Sequence, residues 1–323
     1  MRTRILLGVL ALAGVSSWAC SGADAGEGQV VITLSTAKPT VVGTALPPGQ
    51  ELPSPTPIPP PELLLSASSV YQAGTVLASL TGNVSSGSIV VLGRTYALTK
   101  GARSMFAFVP IAIEDRTGDT PVIVDFTLGN GTKGTLTASI TIVRTQWTVD
   151  SLTFTDSQTQ TLLDPVALDL ETKLLARMYK TSTPLKLWDQ ASWQAPTNGV
   201  LTARFGEQRS INGSAPSGHH GGTDLGSPEG TPVFATNTGR VIMVRQLHLR
   251  GNMVIIDHGA GVLSGYGHLA DFAVVEGQQV AAGDLIGHVG NTGLSTGAHL
   301  HWEISIGGIL VDALRFVDGT NGF

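Results

Sequence analysis

The sequence predicts an all-β protein, in which two β domains are joined by a short segment with one helix. Three observations support this fold class. Charged residues make up only 13% of the 323 residues, against about a quarter in typical soluble domains. Glycine, with 40 residues, is abundant together with Ser, Thr and Val, which is typical of strands and turns. Apolar runs of strand length recur along most of the chain.

Residues 1–19 have the pattern of a signal peptide. Two arginines precede the apolar run Ile5–Val15, which is too short to span a bilayer as a helix. Cys20, the only cysteine, follows and is predicted to be lipidated, although Ser17 stands where the bacterial lipoprotein pattern prefers Leu. One lipid anchor tethers a protein without inserting it. We therefore expect an exported lipoprotein anchored to a membrane of the bacterial cell envelope (periplasm/outer membrane), or a secreted protein if Cys20 carries no lipid.

Two segments of different composition follow. Residues 20–65 are predicted to be a Pro-rich tether, because the prolines of Pro53–Pro61 favour extended polyproline geometry. Within this tether, Val30–Leu34 has the composition of a strand. Residues 66–146 alternate short apolar runs with Ser-Gly, Thr-Gly and Gly-Asn-Gly turns, which predicts a small β-sandwich module. That module contains no cluster of His, Asp and Glu, so we interpret it as a spacer or a binding module.

Residues 147–195 are predicted to be a bridging segment with one helix. Asp164 is a good N-cap and Pro165 is suited to the first helical position. Pro184 is expected to end the helix. An apolar stripe with helical spacing, which we interpret as a packing surface, is formed by Leu168, Leu174, Leu175 and Met178.

Residues 196–323 return to strands and Gly-rich turns, and are predicted to form one antiparallel β domain. All 8 histidines of the chain lie here, between His219 and His301. Their confinement to one Gly-rich β domain indicates a metal site.

Three short motifs in this domain contain imidazole or carboxylate side chains that suit a metal site. In His220-Gly221-Gly222-Thr223-Asp224, a Gly-rich loop leads into a strand and can bring an imidazole and a carboxylate onto one ion. In His299-Leu300-His301, strand alternation places both imidazoles on one face. In Tyr266-Gly267-His268-Leu269, a histidine stands where we expect a strand to end and a turn to begin.

Taken together, these motifs resemble the lysostaphin-type (LytM-like) zinc metallopeptidases, in order and in spacing. The upstream β module also resembles, less specifically, the N-terminal portion that some exported members carry. The matching blocks are His220–Asp224, Gly230–Val233, Ile256–Gly259, Tyr266–Leu269, Gly290–Gly293, Ser295–Gly297 and His299–His301.

The resemblance implies a fold, a metal and an activity. It implies an antiparallel β catalytic domain with a zinc groove, binding one Zn²⁺ through His220, Asp224 and His301. His268 and His299 would be the catalytic pair, with His299 as base and His268 stabilising the oxyanion or orienting water, although these two roles are interchangeable at this stage. The implied reaction is hydrolysis of peptide bonds in bacterial cell-wall peptidoglycan by a zinc-bound water.

Elementary chemistry agrees with that implication. Three protein ligands leave a fourth tetrahedral position, which is typical of catalytic rather than structural zinc. A histidine with its ordinary pKa of about 6.5 suits proton transfer near neutral pH. The remaining histidines are interpreted as structural or surface residues, and Glu303 or Glu229 is a candidate partner that orients a ligand imidazole.

Three other functional classes are alternatives to a zinc peptidase: an envelope binding module, a structural zinc domain and a nucleic-acid-binding protein. Some relatives of the family have lost metal ligands and activate other wall hydrolases, so a non-catalytic envelope binding module is the alternative. A structural zinc domain requires four protein ligands, which the motifs do not supply. With a net charge of −5 and no basic block, nucleic-acid binding is not expected, and the chain is expected to be a monomer.

Overall fold

The computed structural model describes residues 31–34, 59–156, 164–181, 183–188 and 193–317. Strands dominate these residues, which confirms the all-β prediction. The predicted signal peptide and Cys20 lie outside the described residues. No helix in the described residues combines the length and apolar character needed to cross a bilayer.

The first β domain consists of two packed sheets. In the described residues, one sheet has six strands in the order β1-β10-β9-β5-β6, with β3 paired to β10, and the other has four in the order β2-β4-β8-β7. The strands are β1 Val31–Leu34, β2 Leu63–Leu65, β3 Ser69–Tyr71, β4 Thr75–Leu80, β5 Val84–Val91, β6 Arg94–Ala97, β7 Thr99–Lys100, β8 Met105–Pro110, β9 Gly118–Leu128 and β10 Lys133–Val143.

Strand alternation explains the core of this sandwich. Along β9 and β10, every second side chain is buried, and leucine, isoleucine, valine and phenylalanine occupy most of those positions. Both β1 and β2 lie within residues 20–65, which the sequence assigns to the tether. β1 pairs with β10, and β2 pairs with β4. Two strands of the sandwich, β1 and β2, therefore come from the Pro-rich segment.

The bridging segment contributes a strand and a helix. The strand β11, Val149–Leu152, pairs in parallel with β13 of the second domain. The helix α1, Pro165–Met178, begins where the sequence predicts, because the Asp164 carboxylate accepts from the backbone N–H of Val166 at 2.9 Å. Tyr179 is its C-cap residue.

In the part of the chain that the structure describes, the second domain is built on a ten-stranded sheet whose pairs are all antiparallel, in the main order β12-β15-β22-β19-β18-β17-β20. Its elements, with the small sheet of β13 and β14, are β12 Val200–Ala203, β13 Gln208–Ile211, β14 Ser217–His219, β15 Thr223–Gly226, β16 Pro232–Phe234, β17 Gly239–Gln246, β18 Asn252–Gly259, β19 Val262–Phe272, β20 Gln279–Val280, β21 Leu285–Val289, β22 His299–Ile306, β23 Ile309–Val311 and α2 Leu314–Val317.

The two faces of the central strands are covered differently. On one face, α1 packs Leu175 and the C-cap Tyr179 against a small apolar cluster that includes Met253, Ile255 and Leu263. The alternate residues of the same strands, Val254 and Ile256 among them, point into the larger core on the opposite face. Helix α1 therefore lies on the sheet face that carries Gly265, Gly267 and the odd-numbered residues of β22.

The sandwich and the second domain share apolar packing. Phe108 of β8 stacks on Trp188 with ring centroids 5.9 Å apart, and Trp188 in turn contacts Trp193 at 5.7 Å. Trp193 packs edge-on against Phe316 of α2 at 5.1 Å. All four rings are less than a tenth exposed and belong to the main core of the second domain.

Candidate metal centre

The pairing of β15 with β22 sets two of the predicted metal ligands opposite each other. Asp224 is the cross-strand partner of His301, and its Oδ1 lies 2.7 Å from Nδ1 of His301. Because residues two apart on a strand share a face, His299, His301 and Glu303 lie on the same side of β22. Both Asp224 and His301 are 6% exposed, so this pair is almost removed from solvent.

His220 reaches the same point from the turn before β15. Its Nε2 lies 3.0 Å from Nδ1 of His301 and 3.1 Å from Oδ1 of Asp224. Gly222 makes this approach possible, since a Cβ there would come within 2.7 Å of Cε1 of His301. The glycines of the first motif therefore allow three donor atoms to converge.

Hydrogen bonds outside the cluster orient both imidazoles. Nδ1 of His220 donates to the carbonyl of Arg204 at 3.0 Å, and Nε2 of His301 donates to Oε1 of Glu303 at 2.8 Å. In the neutral rings, these bonds leave Nε2 of His220 and Nδ1 of His301 as acceptors directed at the cluster. Glu303 is thus the orienting partner that the sequence suggested, whereas Glu229 is exposed.

His268 reaches the site through a β-bulge. The register of β18 with β19 shifts between the pairs Val254–Tyr266 and Asn252–Leu269, so β19 has one residue more than its partner there. His268 has φ of 59°, a left-handed conformation uncommon outside glycine. The expectation that the strand ends at this motif is wrong, because β19 continues to Phe272. The bulge turns His268 away from the core face on which Tyr266 lies.

The two predicted catalytic histidines lie side by side. The ring centroids of His268 and His299 are 4.7 Å apart. Nδ1 of His268 donates to the Thr292 carbonyl at 2.7 Å, and Nδ1 of His299 donates to the Gly297 carbonyl at 2.8 Å. Nε2 of His299 lies 3.6 Å from Oδ2 of Asp224. The neutral rings therefore present their Nε2 atoms as acceptors, and that of His299 lies beside the ligand cluster.

The five side chains line a groove with a volume of about 320 Å³. One wall is formed by the bridging segment, where Asp150 and Phe154 contribute side chains. Arg209 of β13 joins this wall to the cluster, because it pairs with Asp150 at 3.1 Å and with Oδ2 of Asp224 at 3.3 Å. Nothing in the sequence motifs indicated Arg209 or Asp150, which reach the groove only through the pairing of β11 with β13.

The environment shifts the pKa values of the clustered histidines in opposite directions, and burial lowers that of His220. Burial lowers the pKa of His301, but hydrogen bonds to Asp224 and Glu303 outweigh burial and raise it to about 9. Burial raises the pKa of Asp224, yet hydrogen bonds to His220 and His301 hold it well below its usual range. Burial and the neighbouring imidazoles of His301 and His299 lower the pKa of His268 to about 3, so that ring is neutral at neutral pH.

The donor set fits a divalent metal ion. Among the described residues, His220, Asp224 and His301 are the one group of three metal-ligating side chains whose donor atoms lie within 4.8 Å of one another. Two imidazole nitrogens and one carboxylate oxygen are a combination typical of zinc sites. Acceptor atoms this close are stabilised only by a shared cation or proton.

The other histidines lie outside the cluster. His258 is fully buried, with Nδ1 on the Thr238 carbonyl at 2.9 Å and Nε2 on the Ser264 hydroxyl at 2.7 Å. His219 lines the groove, with Nδ1 on the Gly206 carbonyl at 2.7 Å. His288 pairs with Asp271 at 2.8 Å.

Comparison with known proteins identifies this domain. Residues 218–313 match the model of peptidase family M23. The chain carries an M23 peptidase domain. This result confirms the resemblance that the sequence motifs indicated.

Two curated relatives differ in their described roles. Over 96 residues the M23 domain is 44% identical to the peptidoglycan DD-endopeptidase ShyA of Vibrio cholerae, a match covering 30% of this chain and 22% of ShyA. Over 138 residues the chain is 36% identical to the murein hydrolase activator NlpD of Escherichia coli, covering 42% of this chain and 33% of NlpD. The chain thus spans a third or less of the length of these relatives.

A solved structure shares the fold beyond the M23 domain. A Pseudomonas aeruginosa protein described as an M23 peptidase aligns with a TM-score of 0.57 at 24% identity, covering 76% of this chain and 94% of that one. The covered share exceeds the M23 domain, so the fold likeness extends into the residues upstream of it.

Proposed function

We propose that this protein is a zinc metalloendopeptidase that hydrolyses peptide bonds of bacterial cell-wall peptidoglycan. The observation that carries this proposal is the convergence of His220, Asp224 and His301 within 4.8 Å, with His268 and His299 on the same groove. The M23 domain and its 44% identity to a peptidoglycan endopeptidase support the substrate class.

Each of the five residues has a proposed role. His220, Asp224 and His301 would hold the metal, and a bound Zn²⁺ would supply Lewis-acid chemistry that acidifies water and polarises a carbonyl. His299 accepts the proton of the attacking water at Nε2 and delivers it to the leaving amine. The lowered pKa of His268 supports a neutral ring that orients the water.

The cellular setting is also a proposal. A lipid anchor at Cys20 and a tether before the sandwich would place a monomeric M23 domain within reach of the wall. Similarity to a protein described as an uncharacterized lipoprotein, YgeR of Escherichia coli, at 29% identity over 150 residues, supports this setting. The proposed partners are the peptidoglycan peptide and the membrane, without nucleic acid.

The second candidate function is activation of other wall hydrolases, which the match to NlpD favours. An activator has no need of a metal-ligand set or of a proton-transferring imidazole. The presence of all three ligand side chains and both catalytic histidines therefore supports hydrolysis over activation.

Incubation of the purified chain with peptidoglycan, with and without a chelator, tests the two candidates. Mass spectrometry of the released fragments would show new amine and carboxyl ends that disappear with the chelator, and would identify the bond. A zinc-loaded chain that releases nothing from several wall types, yet stimulates an added wall hydrolase, would establish the activator instead.

A further inference from the structure

Helix α1 and its C-cap residue Tyr179 reach the metal centre from outside the M23 domain. They end about forty residues before the matched segment 218–313 begins. The Tyr179 hydroxyl nevertheless donates to Oε2 of Glu303, and Oε1 of the same carboxylate accepts from Nε2 of His301 at 2.8 Å. Tyr179 is 4% exposed and Glu303 fully buried. One carboxylate thus joins the bridging segment to a metal ligand.

A second path runs from the same helix through Arg250. Glu171, 4% exposed, accepts from the backbone N–H of Leu249 at 2.7 Å and from Nη1 of Arg250 at 3.3 Å. Nε of Arg250 donates to Oε1 of Glu303 at 2.8 Å, and the carbonyl of Arg250 accepts from the backbone N–H of His268 at 2.7 Å. Glu171 therefore contacts the loop that supports both His301 and His268.

A glycine in β19 leaves room for this network. Gly265 lies opposite Glu303 in the pairing of β19 with β22. A Cβ at Gly265 would come within 2.4 Å of the Tyr179 hydroxyl and 3.4 Å of Oε2 of Glu303. Any side chain at this position would push the hydroxyl away from the carboxylate.

The network contains two buried carboxylates and one guanidinium. Glu171 and Glu303 both pair with Arg250, and Glu303 also accepts a hydrogen bond from Nε2 of His301. A buried charge that loses one partner leaves the others uncompensated, and the remaining groups rearrange or take up water. The Glu303 carboxylate joins the network to His301, so a rearrangement of the network changes the partner that orients the His301 ring.

We propose that Tyr179 and Glu171 are positioning residues of the metal centre, which fix the orientation of His301 through Glu303 and Arg250. This inference rests on the zinc site of the proposed function. Its consequence is that the catalytic unit includes the bridging helix as well as residues 218–313. Loss of groups that orient a ligand histidine typically weakens metal binding by roughly 10–100-fold.

Tyr179→Phe and Glu171→Gln in the full chain test the proposal by zinc affinity, measured by competition with a chromophoric chelator. We expect zinc to bind roughly 10–100-fold more weakly to each variant, and the visible spectrum of the Co²⁺-substituted protein to shift. Gly265→Ala, which displaces the Tyr179 hydroxyl from the sheet side, should shift the same spectrum.

Two matched controls separate positioning from general destabilisation. Tyr266→Phe also removes a fully buried hydroxyl, which accepts from the Thr236 N–H at 2.9 Å, but Tyr266 lies on the core face, opposite the metal centre. Asp169→Asn removes an exposed carboxylate from the same helix, where it pairs with Lys173 at 2.7 Å. Both controls should keep wild-type zinc affinity, even where Tyr266→Phe lowers the unfolding temperature.

The outcomes are distinct for the two proposals. Wild-type zinc affinity and an unchanged cobalt spectrum in Tyr179→Phe and Glu171→Gln would overturn the positioning role, as would an equal loss of affinity in Tyr266→Phe. A chain whose zinc affinity depends on Tyr179, but which cuts no wall peptide, would overturn only the proposed peptidase activity and support this inference.

Discussion

At the residue scale, the candidate site depends on which nitrogen of each imidazole faces the groove. His220 presents Nε2 and His301 presents Nδ1, because carbonyl or carboxylate partners occupy their other nitrogens. His268 and His299 direct Nδ1 to backbone carbonyls, as His220 does. Distance separates the proposed ligands from the proposed catalytic pair, because among the described residues the donor atoms of His220, Asp224 and His301 form the one such group within 4.8 Å.

The first prediction separates these two sets. His220→Ala and Asp224→Ala should lose bound zinc and activity together, because each removes a donor atom of the cluster. His299→Ala should lose activity, by about 10²–10⁴-fold for a proton-transferring group, and should keep zinc. Metal analysis of purified variants, together with the wall-digestion assay, measures both. A His299→Ala protein without zinc would reassign His299 as a ligand.

The second prediction concerns pH and His258. Burial lowers its pKa to about 4, despite the bond to the Thr238 carbonyl, while its pKa in the unfolded chain is about 6.5. Above pH 6.5 the ring is neutral in both states. As pH falls from 6.5 to 4, the unfolded chain binds the proton first, so about 3 kcal/mol of stability is lost.

Denaturant unfolding between pH 7 and pH 4.5 measures this loss. His258→Gln cannot titrate, so its stability should fall less over the same range than that of the wild-type chain. Equal pH dependence in the two proteins would contradict the assignment of this linkage to His258.

At the element scale, a β-bulge and a glycine-containing turn direct His268 and His220 toward the groove. The bulge in β19 turns His268 toward His301, with ring centroids 5.6 Å apart. The paired glycines before β15 let His220 approach β22 closely. Regular strands would place these two side chains elsewhere.

The third prediction tests the glycine of that turn. Gly222→Ala places a Cβ 2.7 Å from Cε1 of His301 and 2.7 Å from the Trp302 carbonyl. One contact is a backbone carbonyl and the other is the ring of His301, a proposed metal ligand, so the added methyl group is accommodated only if His301 moves. We expect weaker zinc binding and lower stability. Gly297→Ala is the control, since a Cβ there meets nothing within 4 Å, and it should bind zinc as the wild type does.

At the scale of the whole molecule, the sandwich, the bridging segment and the M23 domain form one packed structure. Phe108 of the sandwich enters the core of the M23 domain beside Trp188 and Phe316. The bridging segment supplies one wall of the groove and the network at Glu303. The sandwich therefore shares an apolar core with the M23 domain.

The fourth prediction is that removing this packing uncouples the domains. Phe108→Ala should destabilise the protein by about 3–5 kcal/mol and split a single calorimetric transition into two. The control is Ile123→Ala, at a position that is 36% exposed on β9, which should leave one transition. A single unsplit transition in Phe108→Ala would show that the two cores unfold together without this contact.

The sequence by itself determined the fold class and the start of helix α1, and its resemblance to a known family pointed to the five side chains of the candidate site. These features depend on local patterns, which can be recognised without knowing how the chain packs. The patterns are strand alternation, an N-cap followed by proline, and short motifs in a fixed order. The residues that the motifs left out, Tyr179, Glu171, Arg250, Arg209 and Asp150, belong to the site through contacts across dozens of residues of chain. Only the tertiary structure decided these, because a buried charge network and a strand register depend on which elements meet, and no local pattern encodes that meeting.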